Sequence, residues 1–395
     1  MRILIAGAGM AGLSIGGLLA RAGFEVRVFE QAETLSEVGA GIQISANAGH
    51  VLKELGLEQR LADASFKPDE WIMRAAFSGR PVTRIPLGAH HSGLHGQPYC
   101  QLHRSDLQAM LRHALTEVAP DALNLGRQVA RFEETECGAT LHFTDGDPVH
   151  GDLVIGADGV KSAIRAQIAG ADMPTYSGNT AWRGVLPADR LPEGFMPSRL
   201  QSFMGPGRHM VMYWLDGGRL LNFVGPVEMA QESEESWTTR HDKAELKADY
   251  EGWHDDVQHV IDAMDPDACY RWALNYRPPL SNWRSARATL IGDAAHPTLP
   301  FLAQGAAMAL EDAAVLTRCL LAFDLDEALN RYQSLRMGRT ARVVEGANRM
   351  GHLFHYETEE EMIADVSGKA SDIATDRDRW LYNYNPVTIP LEEAA

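Results

Sequence analysis

The sequence predicts an α/β fold: a dinucleotide-binding βαβ unit, interrupted by a mainly β-sheet insert and finished by C-terminal helices. Three observations predict it. Gly7-Ala8-Gly9-Met10-Ala11-Gly12 stands between a short apolar run and a helical stretch. Residues 176–226 change to a β pattern with the hairpin signal Asp216-Gly217-Gly218. From Arg287 an apolar run again enters a glycine–acid turn, Gly292-Asp293, and then a helix.

The opening strand is Arg2–Ala6, followed by the tight turn, a helix through Arg21 and a second strand over Phe24–Glu30. Gly23 stands just past the helix, where a left-handed residue is expected. The G-x-G-x-x-G spacing lets main-chain N–H groups and a helix N-terminus close on a pyrophosphate that a Cβ would obstruct. Glu30, at the end of the second strand, is placed to accept hydrogen bonds from both hydroxyls of an adenosine ribose. Strand, helix and terminal acid in this order predict dinucleotide binding.

Residues 39–50 form a second glycine-bearing turn before a helix from about Asn47, with Gln43 a candidate polar group facing a pocket. Ser105 with Gln108 makes a capping box, so Arg104 is expected just before that helix. Residues 127–150 alternate around Thr144-Asp145-Gly146, which predicts an antiparallel hairpin. Leu153–Val160 is a buried strand running into Asp158-Gly159. In the insert, GRHMVMYWL and RLLNFVG flank the 216–218 turn, and period two puts His209, Val211 and Tyr213 on one face. Residues 233–265 read as polar helices. The α/β pattern resumes over 287–293, with a helix from Gly305 through Leu321 whose apolar side carries Met308, Ala309, Val315 and Leu316. Residues 328–356 continue helically, and the tail beyond Lys369 is aromatic, with Trp380, Tyr382 and Tyr384. These boundaries divide the chain into 1–175, a β-rich 176–270, a closing part 271–322, and helices with tail over 323–395.

Composition bounds the function. At 395 residues and about 150 residues per domain, two to three domains are expected. Hydrophobic residues make up 45% and charged residues 23%, which excludes a disordered chain. The net charge is 36 − 53 = −17. Such a surface repels phosphate backbones and anionic lipid, so neither nucleic acid nor membrane is expected as a partner. Cys100, Cys137, Cys269 and Cys319 are scattered without zinc spacing, and a reducing cytoplasm is the expected home. Uncharged residues 3–20 after Met1-Arg2 imitate a signal peptide, but glycines at 7, 9, 12, 16 and 17 fit the phosphate turn instead. His90, His91 and His95 form a loop cluster without an acid or Cys to complete a metal site, so a solvated loop and no metal are expected. His352 and His355 fall in the late helix as packing or interface residues.

Four motifs, GAGMAG (7–12), HRSDLQ (103–108), GADGVKSAIR (156–165) and GDAAHPTLPFLAQGAAMALEDA (292–313), stand in order along nearly the whole chain. This set resembles the single-component FAD-dependent aromatic hydroxylases, the family around 4-hydroxybenzoate hydroxylase. Residues 205–215 resemble most the branch of 3-hydroxybenzoate 6-hydroxylase, salicylate hydroxylase and 6-hydroxynicotinate 3-monooxygenase.

The resemblance implies an FAD-binding Rossmann-like domain carrying the β-rich insert as substrate domain. Gly7, Gly9, Ala11 and Gly12 would hold the FAD pyrophosphate, Glu30 the adenosine ribose, and Arg104 the ribityl-phosphate region. Asp158 would serve FAD and the reduced nicotinamide; the other reading is a turn aspartate capping the helix that follows. Asp293 would bind ribityl hydroxyls. Gln304, Gly305 and Ala306 would present backbone N–H groups and a helix dipole to the flavin N1–C2=O edge. His296 would order the loop.

The implied activity is a monooxygenase using NADH or NADPH and O2 to hydroxylate a small hydroxylated aromatic carboxylate through a flavin C4a-hydroperoxide, with or without decarboxylation. A base is then needed beside the ring. The related hydroxylases place a His and a Tyr at positions matching His209 and Tyr213, which makes His209 the candidate base and Tyr213 its partner. Pro300 stands where the 3-hydroxybenzoate 6-hydroxylase pattern has a polar residue. That argues against 3-hydroxybenzoate and keeps salicylate-like and hydroxypyridine carboxylates. Two rivals stay open: a tailoring oxygenase or epoxidase of a larger polycyclic substrate, and a non-catalytic flavin-binding protein. A monomer and a homodimer are both compatible with the sequence.

Overall fold

The computed structural model describes residues 1–35, 40–229, 239–353, 356–366 and 377–392. Gly39, residues 233–238 of the polar-helix region, the start of the tail and His355 lie outside the described residues, as does the side chain of His352.

A five-stranded, all-parallel sheet runs in the order Ala288–Leu290, Leu153–Gly156, Arg2–Ala6, Glu25–Phe29 and Leu123–Asn124. Its central strand is apolar and fully buried from Ile3 to Ala6, as a strand covered on both faces must be. Helix Met10–Arg21 follows and packs on helices Arg104–Val118 and Gly305–Ala322. It ends at Ala22, with Gly23 beyond at φ +88. The closing strand and its helix therefore return to the same core as the N-terminal turn.

A seven-stranded mixed sheet takes its strands in the order 270–276, 175–187, 220–228, 208–215, 199–205, 70–75 and 81–86. Two of these, Glu70–Ala75 and Pro81–Pro86, come from well before residue 176. The period-two alternation splits this sheet between two cores. Met210, Met212 and Trp214 pack with Phe223 under helices Lys243–Asp249 and Asp255–Ala263. Tyr213 and Val211 pack on the other side, toward Phe301, Met308 and Leu381.

Three local expectations are corrected. Residues 127–150 form a three-stranded sheet rather than one hairpin: the 144–148 turn joins Gly138–Phe143 only to the short strand Val149–Gly151. The longer pairing, with Val129–Thr135, closes through Glu136-Cys137, which lacks the Asn-Gly type of signal. Residues 41–44 form a strand rather than a turn, paired antiparallel with Cys100–His103. Ser105 does not cap the next helix. That helix starts at Arg104, because His103 still pairs with Gly41 and the Arg104 N–H donates to the Ala40 carbonyl at 2.9 Å. Strand thus runs directly into helix, and Ser105 Oγ lies 2.6 Å from His103 Nδ1 inside the first turn.

Candidate active site

The three glycines of the first turn have different duties. Gly7 stands at φ +96, and a Cβ on it would lie 2.4 Å from the Ala157 carbonyl oxygen. A Cβ on Gly12 would lie 1.9 Å from the Gly7 carbonyl oxygen. Both are demanded by strand–helix packing. A Cβ on Gly9 would meet nothing within 4 Å, so Gly9 is the one that leaves room for a ligand. The helix it opens has no side-chain cap and no acid in its first turn, so its N–H groups point at that space. Glu30 is tied beside it, accepting from Ala8 N–H at 2.8 Å and Ala32 N–H at 3.0 Å. Each carboxylate oxygen keeps acceptor capacity for a hydroxyl.

Opposite this turn lies the loop 292–306. Gly292 (φ +58) places its missing Cβ 2.8 Å from Ala11 Cβ, which seats the loop against the first helix. Asp293 is exposed on it. Ala303 is held in the left-handed region at φ +53, a strained conformation for a residue with a Cβ. That bend aims the N-terminus of helix Gly305–Ala322, again without side-chain cap or first-turn acid, out of the loop. The Gln304 side chain is turned away. Its Oε1 accepts from Asn47 Nδ2 at 2.9 Å and its Nε2 donates to Ser45 Oγ at 3.0 Å. What Gln304, Gly305 and Ala306 offer is therefore main chain.

Behind the loop is a buried ionic network that the sequence reading missed. Glu311 accepts from Asn47 at 2.6 Å and is paired with Arg339 and Arg336; Asp312 accepts from Arg336, from the Gly292 N–H at 2.9 Å and faces His296 at 2.6 Å. Burial pushes the Glu311 and Asp312 carboxyls up, but the facing groups, Arg339 and Arg336 for Glu311 and His296 and Arg336 for Asp312, hold both below their ordinary values. Two adjacent acids inside an apolar helix were the available signal. Arg165, 1% exposed, donates to the carbonyls of Ala294 and Ala295 at 3.1 Å and to Asp172. Asp172, beside Arg165 and Arg277, is held down at about 2. Asp158 caps helix Ala163–Ala169, accepting from Ser162 Oγ and from Ala163 N–H at 2.8 Å, and burial raises it. Arg104, half-buried, sits in the first turn of its helix.

His209 and Tyr213 lie four residues apart on strand Arg208–Leu215, about 13 Å along an extended chain. The His209 ring stands edge-on to Phe301, with centroids 5.4 Å apart, which joins the sheet to the 300–306 loop. Tyr213 is buried against Gly41, whose missing Cβ would lie 2.6 Å from its ring. Gln43 accepts from Tyr99 OH at 2.6 Å, and burial raises the Tyr213 hydroxyl above its ordinary value.

The 90–95 histidines are not a solvated loop. They form helix Gly88–His95, whose i, i+4 spacing puts His91 and His95 on one buried face while His90 stays exposed. His91 packs on Tyr99 and on Tyr382 of the C-terminal segment, and burial drives it down to about 3. Tyr382 thus covers this side of the cluster, while Arg339 donates to the Trp380 and Leu381 carbonyls. Among the described residues no group of His, Cys, Asp and Glu could hold a metal, and no helix is long and apolar enough to cross a membrane.

Residues 1–347 match the family described as FAD binding domain. The chain belongs to this family. It is 40% identical over 358 residues to 3-amino-4-hydroxybenzoate 2-monooxygenase of Streptomyces cremeus, covering 90% of this chain and 88% of that one. It is 38% identical over 348 residues to 6-hydroxynicotinate 3-monooxygenase of Bordetella bronchiseptica, covering 87% and 89%. The solved structure of Klebsiella pneumoniae HpxO with FAD and uric acid superposes with a TM-score of 0.84 at 28% identity over 96% of each chain. The protein is an FAD-dependent monooxygenase, a hydroxylase that draws on a reduced nicotinamide.

The residues of this FAD-dependent hydroxylase fit its cofactor on physical grounds. Gly9 opens a space that a Cβ would fill, and two uncapped helix N-termini border the site. Anionic pyrophosphate and a flavin edge that gains negative charge on reduction are the groups such termini stabilise.

Proposed function

We propose that this enzyme hydroxylates a small aromatic carboxylate bearing a ring hydroxyl, of the hydroxybenzoate or hydroxynicotinate type, with His209 as base and Tyr213 as partner of the ring oxygen. The observation that carries the reading is the placement of His209 and Tyr213 on one buried face, with His209 against Phe301 of the 300–306 loop. The names of the two relatives support the ring chemistry: both their substrates carry the oxygen para to the carboxylate. Leu299-Pro300-Phe301 offers no side-chain donor at that loop, which suits a ring whose oxygen is served from the sheet instead.

Gly9 would admit the pyrophosphate to the main-chain N–H groups of Ala11 and Gly12, Glu30 the adenosine ribose, Arg104 and Asp293 the ribityl region, and the N–H groups of 304–306 the flavin edge. Asp158 would act by holding its turn and helix in place beside them. Bound there and reduced by NADH or NADPH, FAD would activate O2, one atom of which goes to the ring and the other to water. This chain's residues do the rest. His209 removes the ring-hydroxyl proton, which raises the electron density of the carbon to be attacked. Tyr213 hydrogen-bonds the oxyanion left behind, inside a wall of apolar residues that excludes water.

The test follows NADH and NADPH oxidation by the purified yellow protein with 3-amino-4-hydroxybenzoate, 6-hydroxynicotinate, salicylate and 3-hydroxybenzoate. Stimulation by the para-oxygenated acids, with hydroxylated product formed, is expected. A flavin-loaded protein that none of the four acids stimulates overturns the proposal.

A further inference from the structure

The C-terminal segment, residues 377–392, is held by arginines of the two helices it crosses. On helix Gly305–Ala322, Arg318 donates to the Pro386 carbonyl at 2.8 Å and to the Ile389 carbonyl at 2.7 Å. On helix Leu325–Leu353, Arg331 donates to the Glu392 carbonyl at 2.8 Å. Arg339 of the same helix donates to the Trp380 carbonyl at 2.7 Å and the Leu381 carbonyl at 3.0 Å, and lies 3.8 Å from the centroid of the Tyr384 ring. A charged donor on a main-chain carbonyl makes a stronger bond than a neutral one, so these arginines fasten the segment at several points.

The seated segment meets the candidate active site in two ways. Leu381, fully buried, and Tyr382, 5% exposed, join the apolar cluster that holds Tyr213 and Phe301, and the Tyr382 ring stands edge-on to Tyr99. The second link runs through Arg339. Its Nε and Nη2 fork onto the two oxygens of Glu311 at 2.8 and 2.6 Å, while Nη1 and Nη2 hold the Trp380 and Leu381 carbonyls. Glu311 accepts in turn from Asn47 Nδ2 at 2.6 Å, and that nitrogen donates to Gln304 Oε1 at 2.9 Å. A guanidinium is planar and its donors are fixed relative to one another. Arg339 therefore cannot keep its grip on Glu311 while turning to follow a displaced segment, and Glu311 anchors the residue that precedes helix Gly305–Ala322.

We propose that the C-terminal segment is a working part of the active site, with Arg339 as the positioning residue: seated, it closes the aromatic wall and fixes Gln304, so that tight FAD binding and exclusion of water both depend on it. This inference rests on the proposed placing of the flavin edge at 304–306 and adds what holds that loop and closes the wall. Unseating has two consequences. The loop loses its anchor and binds FAD more weakly, and water reaches the ring site. NADH, a proton and O2 then become NAD+ and hydrogen peroxide: the two electrons and both hydrogens go to O2, and no oxygen atom enters the ring.

The test uses full-chain variants. FAD affinity is read by fluorescence titration of the apoprotein, and peroxide is measured per NADH oxidised with 6-hydroxynicotinate as probe. Arg339→Lys keeps the charge opposite Glu311 but loses the fork, and is expected to weaken FAD binding about tenfold. Tyr382→Ala leaves Arg339, Glu311 and the loop unaltered. It is nevertheless expected to weaken FAD binding about threefold or more and to raise the peroxide share at least about twofold, because it loosens the segment. Combined, the two changes should weaken FAD binding by less than the product of their separate effects. Should Tyr382→Ala fail to fold, Tyr382→Leu takes its place with the same expectations. Variants that melt earlier, yet keep wild-type FAD affinity and peroxide share below their transitions, show a merely stabilising segment and overturn the inference. Ala306→Pro removes an N–H of the loop in the first helical turn, where proline is tolerated, and separates the two readings. If it weakens FAD binding and the segment variants do not, the inference falls and the placing of the flavin edge stands; if all three leave FAD affinity unchanged, both fall. A wild-type enzyme that 6-hydroxynicotinate leaves unstimulated counts against the proposed substrate, and FAD affinity alone then decides the inference.

Discussion

Glu311 and Arg339 form a two-pronged ion pair, with Nε 2.8 Å from one carboxylate oxygen and Nη2 2.6 Å from the other. Glu311 is fully buried on the helix that begins at the 300–306 loop, and Arg339 also holds the Trp380 and Leu381 carbonyls. One arginine thus joins helix Gly305–Ala322 to the C-terminal segment. Because the same carboxylate accepts from Asn47, which in turn holds Gln304, the pair supports the loop as well as the tail.

Removing one partner of such a pair leaves a buried charge uncompensated, which costs about 3–5 kcal/mol. Glu311→Gln is therefore expected to lower the thermal midpoint sharply and to loosen FAD. The pH dependence follows with its sign. The folded Glu311 value lies below the ordinary carboxylate value of 4.5, so its stabilisation is present above that pH and is lost as acid passes through the folded value. Thermal scans from pH 6 down to 3 should show wild-type stability falling below about 4.5 and a flatter curve in the variant. Equal slopes would refute the assignment.

The two glycine substitutions should separate. Gly12→Ala forces a Cβ to 1.9 Å from a carbonyl oxygen and is expected to yield insoluble or unfolded protein. Gly9→Ala meets no atom within 4 Å, so the apoprotein should fold with near wild-type stability while binding FAD at least about tenfold more weakly. Fluorescence titration of the apoprotein with FAD reads the second effect. Unchanged affinity in Gly9→Ala would remove that glycine from the cofactor site.

For the base, His209→Asn is expected to lower kcat/KM for the best aromatic acid by about 100-fold or more, with FAD retained. The acid limb of the pH–rate profile should vanish with it. Steady-state rates measured from pH 5 to 9 decide the matter, and a profile identical to wild type would mean that another group takes the proton.

His91 is driven down to about 3 by burial, so the folded protein keeps it neutral while the unfolded chain protonates it below about 6.5. Stability should fall as pH drops through that window, by up to about 1.4 kcal/mol per pH unit from this group. His91→Phe, which suits the aromatic contacts with Tyr99 and Tyr382, is expected to reduce that slope between pH 6.5 and 4. Denaturation curves at several pH values would expose an unchanged slope.

What could be read from the chain was what neighbouring residues decide among themselves. The turn at 7–12 demands glycine because Gly7 and Gly12 meet main chain a few ångströms away, and Gly23 and the faces of strand 208–215 follow from backbone geometry alone. The order of those motifs was enough to identify the parallel sheet and its β-rich companion. Local signals misled where a longer-range contact outweighed them, as when pairing of His103 with Gly41 displaced the Ser105 cap and when Tyr382 buried the 91–95 helix. Only the tertiary structure decided the rest. Asn47 reaches Gln304 across 257 positions, Glu311 finds Arg339, and Tyr99 donates to Gln43. Hydrogen bonds and buried charges require partners that the fold supplies from distant segments, and no spacing along the chain encodes which segment that is.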